Sequence, residues 1–213
     1  MRYKAILFDM DGTLLDTLTD MADAVNHILS VHGWPLRTTE EVRAFVGNGA
    51  RRLMERAVPT EVTGGDFETV LTEYRDWYQA HNCVATAPYP GIPALLAALA
   101  EAGIKTAVVS NKPDATTKTL AARFFPGLPA FGQRDDVPPK PAPDLVFRAL
   151  ETLGVDAADA VYVGDSEVDV ATARNAGLPL AAVSWGFRGR RALAEAGAAV
   201  IVDAAAELLE VLR

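Results

Sequence analysis

Intrachain disulfides are excluded at the outset, because the 213-residue chain holds a single cysteine, Cys83. A lone thiol fits a reducing compartment and reads as an ordinary packed or half-exposed side chain. No apolar run reaches the length that crosses a bilayer. The opening "MRYKAILF" lacks the long apolar stretch and cleavage-like site of a secretory signal. A cytoplasmic protein without membrane contact is expected. Basic residues are outnumbered, 20 to 28, for a net charge of −8. Such a surface repels phosphate backbones, so nucleic acid is not an expected partner; a small cationic pocket for a small anion stays compatible with it. Low-complexity tracts and fixed-period repeats are also missing.

What the chain has is apolar material. Half of its residues are hydrophobic, enough for a substantial core in one large domain or one domain with an insertion. Short runs rich in Val, Ile and Ala fall at 4–8, 105–110, 160–164, 180–184 and 199–202. None alternates with a period of two, which suits parallel strands covered on both faces. Helical patterns lie between them: 91–102 before Gly103, 143–153 from Pro143 to just before Gly154, and 166–176 before Gly177. Proline in the first turn and glycine just past the last mark helix boundaries. Strand alternating with helix predicts a doubly wound, mostly parallel α/β sheet.

Residues 17–82 break this alternation. Leu18, Met21, Val25 and Ile28, then Leu53 and Met54, then Phe67, Val70, Leu71, Tyr74 and Trp77 follow helical spacing. The expected division is an α/β core of residues 1–15 and 88–213 with a helical cap of residues 16–87. "TAPYPG" (86–91) would be the return linker, since Pro88 and Pro90 resist regular structure. The insertion follows the first strand, where open α/β sheets bind ligands, so a lid is the natural reading.

The predicted strand ends carry the chemistry. Asp9 and Asp11 follow the first strand, Ser110 and Asn111 end the second, Lys140 lies in the loop "VPPKPAPD", and Asp165 ends "AVYVG" with Asp169 four residues on. In a parallel sheet these ends share one edge. Two acids so close repel each other unless a cation or a chemical task compensates. A carboxylate can attack phosphorus to give an acyl-phosphate. Attack on an anionic ester needs a cation, and Mg²⁺ takes oxygen ligands. Asp9 and Asp165, with the Asp11 carbonyl, could hold it. Lys140 could neutralise the nucleophile and the transferring group, and Ser110 could bind phosphoryl oxygens. Asp11 is placed to protonate the leaving group and later to activate water, with Thr13 holding its carboxylate.

This set resembles the haloacid dehalogenase superfamily of aspartate-nucleophile phosphohydrolases. "DMDGT" matches its first motif, Ser110 in "VVSNKP" its second, Lys140 in "KPAP" its third and "GDSEVD" its fourth, in family order from residue 9 to 169. The insertion corresponds to the family's helical cap between motifs one and two. The stretches 42–58, 89–113 and 164–177 are similar to the bacterial phosphoglycolate phosphatases, whose cap loop, here "VGNG", is presented to substrate. The resemblance implies Asp9 as nucleophile, Asp11 as acid/base, Lys140 as charge neutraliser, Ser110 and Asn111 as phosphate contacts, and Asp9, Asp11 and Asp165 as Mg²⁺ ligands. Asp169 would support Lys140, and Gly47, Asn48, Gly49 and Arg51 would face the substrate from the cap. The expected activity is Mg²⁺-dependent hydrolysis of a small phosphorylated metabolite, 2-phosphoglycolate first, by a monomer or homodimer. A phosphatase for other small esters or a phosphosugar mutase shares the core motifs. Arg188, Arg190 and Arg191 read as a solvated loop, with a place at the active-site rim as the alternative.

Overall fold

Side chains that alternate along a buried strand reach both faces of a sheet, and β1 (Ala5–Phe8) does so in the computed structural model, which describes residues 2–212. Ile6 and Phe8 join a core with α5 (Ile92–Glu101), α6 (Asp114–Phe124) and α10 (Ala205–Val211). Ala5 and Leu7 join a second core with α7 (Asp144–Leu153) and α8 (Glu167–Ala176). The six-stranded sheet runs β5-β4-β1-β6-β7-β8, all parallel, with β4 at Lys105–Pro113, β5 at Ala130–Gln133, β6 at Ala160–Gly164, β7 at Leu180–Val183 and β8 at Ile201–Val202. The fold is the predicted doubly wound α/β sheet. Strand order reverses about β1, so the crevice beyond the carboxyl ends of β4, β1 and β6 is where such a sheet binds ligands.

Some elements differ from expectation. β4 runs on to Pro113, with irregular register to β5 between Val109 and Pro113, so Ser110 and Asn111 lie inside it. The short β5 carries a glycine and only two apolar residues, too weak a run to read from sequence. α6, α9 (Gly189–Glu195) and α10 were likewise not expected. Ala87–Pro88 (β3), inside the presumed irregular linker, pairs antiparallel with Leu15–Asp16 (β2). A proline is admitted because this two-residue ribbon has open edges.

The inserted segment forms α1 (Leu18–Val31), α2 (Thr39–Phe45), α3 (Gly49–Ala57) and α4 (Gly64–His81). These helices share a separate apolar cluster built on Leu29, Met54 and Leu71. Thr38 and Glu41 close a capping box at the start of α2. Both connections to the sheet are tied together. Buried Asp20, in the first turn of α1, accepts hydrogen bonds from the N–H groups of Val84, Ala85 and Thr86 and from the Thr86 hydroxyl. Among the described residues no helix is long and apolar enough to cross a membrane.

Candidate active site

β1 delivers Asp9, β6 delivers Asp165, and the first turn of α8 delivers Asp169. Carboxylate oxygens of the three lie within 4.8 Å of one another. A single ammonium, Lys140, enters this cluster from the loop before α7. Its Nζ is 2.9 Å from Asp9 Oδ1 and 2.8 Å from Asp169 Oδ1, and it donates to the Tyr162 hydroxyl at 3.1 Å. Tyr162 in turn donates to the Val109 carbonyl. An ammonium has three N–H groups, and all three are engaged. Lys140 therefore faces Asp9 and Asp169 rather than the cavity, and the expected direct phosphate contact finds no spare donor.

Burial opposes the charge on Lys140, yet Asp169 and Asp9 outweigh it and hold the ammonium well above its ordinary pKa. For the acids the balance goes the other way. Burial raises Asp9 from 3.8 to about 7 despite the attraction of Lys140, with Asp169 and Asp11 adding repulsion. Burial, then the Asp169 and Asp9 charges, push Asp165 well above the usual carboxylate range. Three carboxylates against one ammonium leave two negative charges without compensation. A divalent cation cancels them, so the donor set fits Mg²⁺ or a similar hard ion.

The three acids are not equivalent. Both Asp169 oxygens already accept protein donors: Lys140 on Oδ1, and the Ser166 N–H and hydroxyl on Oδ2. Asp169 is thus a positioning group inside the capping box of α8. Asp9 Oδ1 accepts the Met10 N–H at 2.7 Å as well as Lys140, while no donor among the described residues meets Oδ2. Asp165 accepts the Phe187 N–H at 2.7 Å and, weakly, the Thr13 hydroxyl at 3.4 Å. Two glycines make room for it. A Cβ on Gly12, whose φ is +82°, or on Gly186 would come within 2.3 Å of Asp165 Oδ2. Gly186 carries no sequence signal that marks it out.

Asp11 turns away from that cluster. Its Oδ1 accepts the Thr17 hydroxyl at 2.7 Å and lies 3.2 Å from Lys112 Nζ. Thr17, not Thr13, secures this carboxylate, because the tight turn after Gly12 aims Thr13 at Asp165. The Asp11 side chain is likewise no member of the metal cluster. Lys112 is buried, donates to the Tyr78 hydroxyl at 2.7 Å, and sits over the Tyr78 ring. Nothing local in the sequence marks Lys112, since its partner Tyr78 comes from α4, 34 residues away.

Between the sheet edge and the cap lies a cavity of about 340 Å³. Asp9, Asp11, Ser110 and Asp165 line it from the sheet, and Gly47 and Gly49 from the cap loop. Asn111 also lines it, whereas Asn48 and Arg51 do not. Asn48 accepts a hydrogen bond from Arg56. Arg51 forms a two-pronged pair with Glu68 at 2.8 Å on the cap surface, so it is not a substrate residue in this structure. The Asn111 amide is committed to the protein: it brackets the Lys140 backbone and donates to the Gly47 carbonyl, which makes it a clamp between core and cap rather than a phosphate donor. Arg188 lines the cavity instead of lying in solvent. It pairs with Glu167 and donates to the Arg43 and Val46 carbonyls of the cap. Arg190 and Arg191 are the exposed members of that cluster, paired with Asp203 and Glu195.

Comparison with known proteins agrees with this arrangement. Residues 6–183 match the family model of haloacid dehalogenase-like hydrolases. The chain is 36% identical to an N-acetylmuramic acid 6-phosphate phosphatase of Pseudomonas aeruginosa, across 100% of this chain and 96% of that protein. It is 35% identical to a phosphoglycolate phosphatase of Pseudomonas savastanoi pv. phaseolicola, across 94% of this chain and 76% of that protein. A solved structure from Lactobacillus delbrueckii subsp. bulgaricus, assigned as a phosphoglycolate phosphatase, superposes with a TM-score of 0.94 at 37% identity, covering 100% and 99% of the two chains.

Proposed function

Because this chain belongs to the haloacid dehalogenase-like hydrolases and is a phosphoric monoester hydrolase, we propose that it works through an aspartyl-phosphate on Asp9 with Mg²⁺ as its cation. The observation that carries this reading is the unequal treatment of the two acids. Asp9 has one oxygen pinned and one without a protein donor at the cavity, as a nucleophile requires, whereas Asp11 is held apart by Thr17 and Lys112.

In the first half-reaction Asp9 Oδ2 attacks phosphorus, the bond to the ester oxygen breaks, and Asp11 protonates the departing alkoxide. In the second, Asp11 takes a proton from a water that attacks the same phosphorus. Phosphate leaves and the Asp9 carboxylate is restored. Lys140 offsets part of the burial cost of ionising Asp9, and Asp169 fixes Lys140. Ser110, at the cavity wall, donates its hydroxyl to a phosphoryl oxygen. Asp9 and Asp165, with the Asp11 carbonyl, would hold the Mg²⁺. When bound, the ion neutralises charge on the phosphoryl oxygens.

The substrate is a small phosphorylated metabolite, and 2-phosphoglycolate stands first on the resemblance of the "VGNG" region and the named relatives. N-acetylmuramic acid 6-phosphate is a second reading with its own support. The relative named for it matches this chain over nearly its full length, and a cavity of about 340 Å³ falls in the range of about 300–1,000 Å³ that encloses much larger ligands than glycolate. The deciding measurement is kcat/KM with Mg²⁺ for both compounds beside other sugar phosphates, pyrophosphate and an aryl phosphate. Preference of at least an order of magnitude for one of the two assigns it. Equal rates on all leave both substrate readings without support, and an isomerised phosphosugar in place of free phosphate would establish a mutase.

A further inference from the structure

We propose that Arg75, on the cap helix α4, is a specificity-determining residue that binds a carboxylate at the end of the substrate remote from its phosphate. The enzyme would then act on phosphate monoesters that also carry a carboxylate. The inference rests on the reading above, in which the phosphate lies at Asp9.

Its first support is position. Residues 74, 75, 76, 78 and 79 of α4 line the cavity. At about 100° per residue, Tyr78 and Gln79 lie roughly 60° and 40° to either side of Arg75, and Tyr74 and Asp76 each about 100° away. Arg75 is therefore central to the arc that the helix presents, and Asp76 stands at its edge.

Its second support is charge. Three cationic side chains line the cavity, namely Lys112, Arg188 and Arg75. Lys112 is bound to Asp11 and Tyr78. Arg188 is bound to Glu167 and to two cap carbonyls. Arg75 makes no hydrogen bond or ion pair among the described residues. Glu68 feels its charge, but both Glu68 oxygens are taken by Arg51. Its planar fork thus has its donors uncommitted at a residue that lines the cavity. A guanidinium pairs with a carboxylate through two parallel hydrogen bonds. With Asp76 beside it, the local charge suits a monoanion better than a second phosphate dianion. Leu53, Tyr74 and Tyr78 on the cap wall offer an uncharged surface for the body of the substrate.

The test uses matched pairs that differ in the carboxylate: 2-phosphoglycolate against 2-hydroxyethyl phosphate, and N-acetylmuramic acid 6-phosphate against N-acetylglucosamine 6-phosphate. A sugar bisphosphate is the third arm. Wild-type enzyme with Mg²⁺ should favour the carboxylate member of at least one pair by about tenfold or more in kcat/KM. Arg75→Met should collapse that ratio to within about twofold through KM rather than kcat, and Arg75→Lys should keep part of it. A wild type without preference, a bisphosphate preferred over both, or an Arg75→Met protein that keeps its discrimination would overturn the inference alone. Absence of Mg²⁺-dependent turnover on any ester would instead overturn the reading beneath it, and this inference with it.

Discussion

Asp9→Asn should abolish turnover and at the same time stabilise the metal-free protein above neutral pH. Asp9 is 9% exposed, and burial raises its pKa from 3.8 to about 7. A group whose folded pKa is raised contributes its full stability below the unfolded value. That contribution is lost as pH climbs through the folded value, here a window from about 4 to about 7. At about 1.4 kcal/mol per unit, a rise of roughly three units sets a ceiling near 4 kcal/mol on what the ionised form costs at pH 8. Asparagine removes the charge and keeps the volume. Its oxygen still accepts the Met10 N–H, and Lys140 retains Asp169 and Tyr162. For a chain of this size each kcal/mol moves Tm by about 2–4 °C, so the gain has a ceiling of roughly 8–16 °C. Calorimetry of both proteins in EDTA at pH 4, 6 and 8 reads it directly. The curves should coincide near pH 4 and separate progressively toward pH 8. Mg²⁺ at pH 8 should narrow the gap, because a ligand that binds only the folded state stabilises the parent. A variant less stable than the parent at pH 8, or a gain equal at all three pH values, would refute the electrostatic reasoning. Near-normal turnover would refute Asp9 as nucleophile.

Lys140→Met leaves Asp9 and Asp169 without their ammonium. Denaturant unfolding at pH 7 should show a loss of about 3–5 kcal/mol, as for other buried pairs broken from one side, and kcat should fall by on the order of a hundredfold. Gly186→Ala would place a methyl 2.3 Å from Asp165 Oδ2 and the Gly12 carbonyl. It should cost about 1–3 kcal/mol and raise the Mg²⁺ concentration for half-maximal activity, and an unchanged Mg²⁺ dependence would separate Asp165 from the metal.

The elements that were legible in the sequence share one property: the signal was local. β1, β6 and β7 are continuous apolar runs buried on both faces, and α7 and α8 end at Gly154 and Gly177 in left-handed backbone. Asp9, Asp165 and Lys140 stand next to such signals, so topology alone brings them to one edge. Local signals failed where a side chain had a choice of partner. Thr13 is two residues from Asp11 and Thr17 six, yet the turn hands Asp11 to Thr17. Arg51 looked free for a carboxylate because Glu68, 17 residues on, comes beside it only when α3 packs against α4. The basic run after Phe187 looked solvated because clustered charge usually is. Arg188 instead reaches across to the carbonyls of Arg43 and Val46, more than 140 residues away in the chain.

By itself the sequence determined the catalytic class. An acid after the first strand, a hydroxyl, a lysine and a further acid at later strand ends can meet in one way on a parallel sheet, because strand direction fixes which end each occupies. The tertiary structure alone decided how those groups are charged and what else faces the substrate. Desolvation, which raises Asp9 and Asp165, exists only once the core closes around them. The cap wall of Tyr74, Arg75 and Tyr78 exists only once α4 is seated over the sheet edge, since a helix shows one arc of its surface to a neighbour and the neighbour chooses the arc.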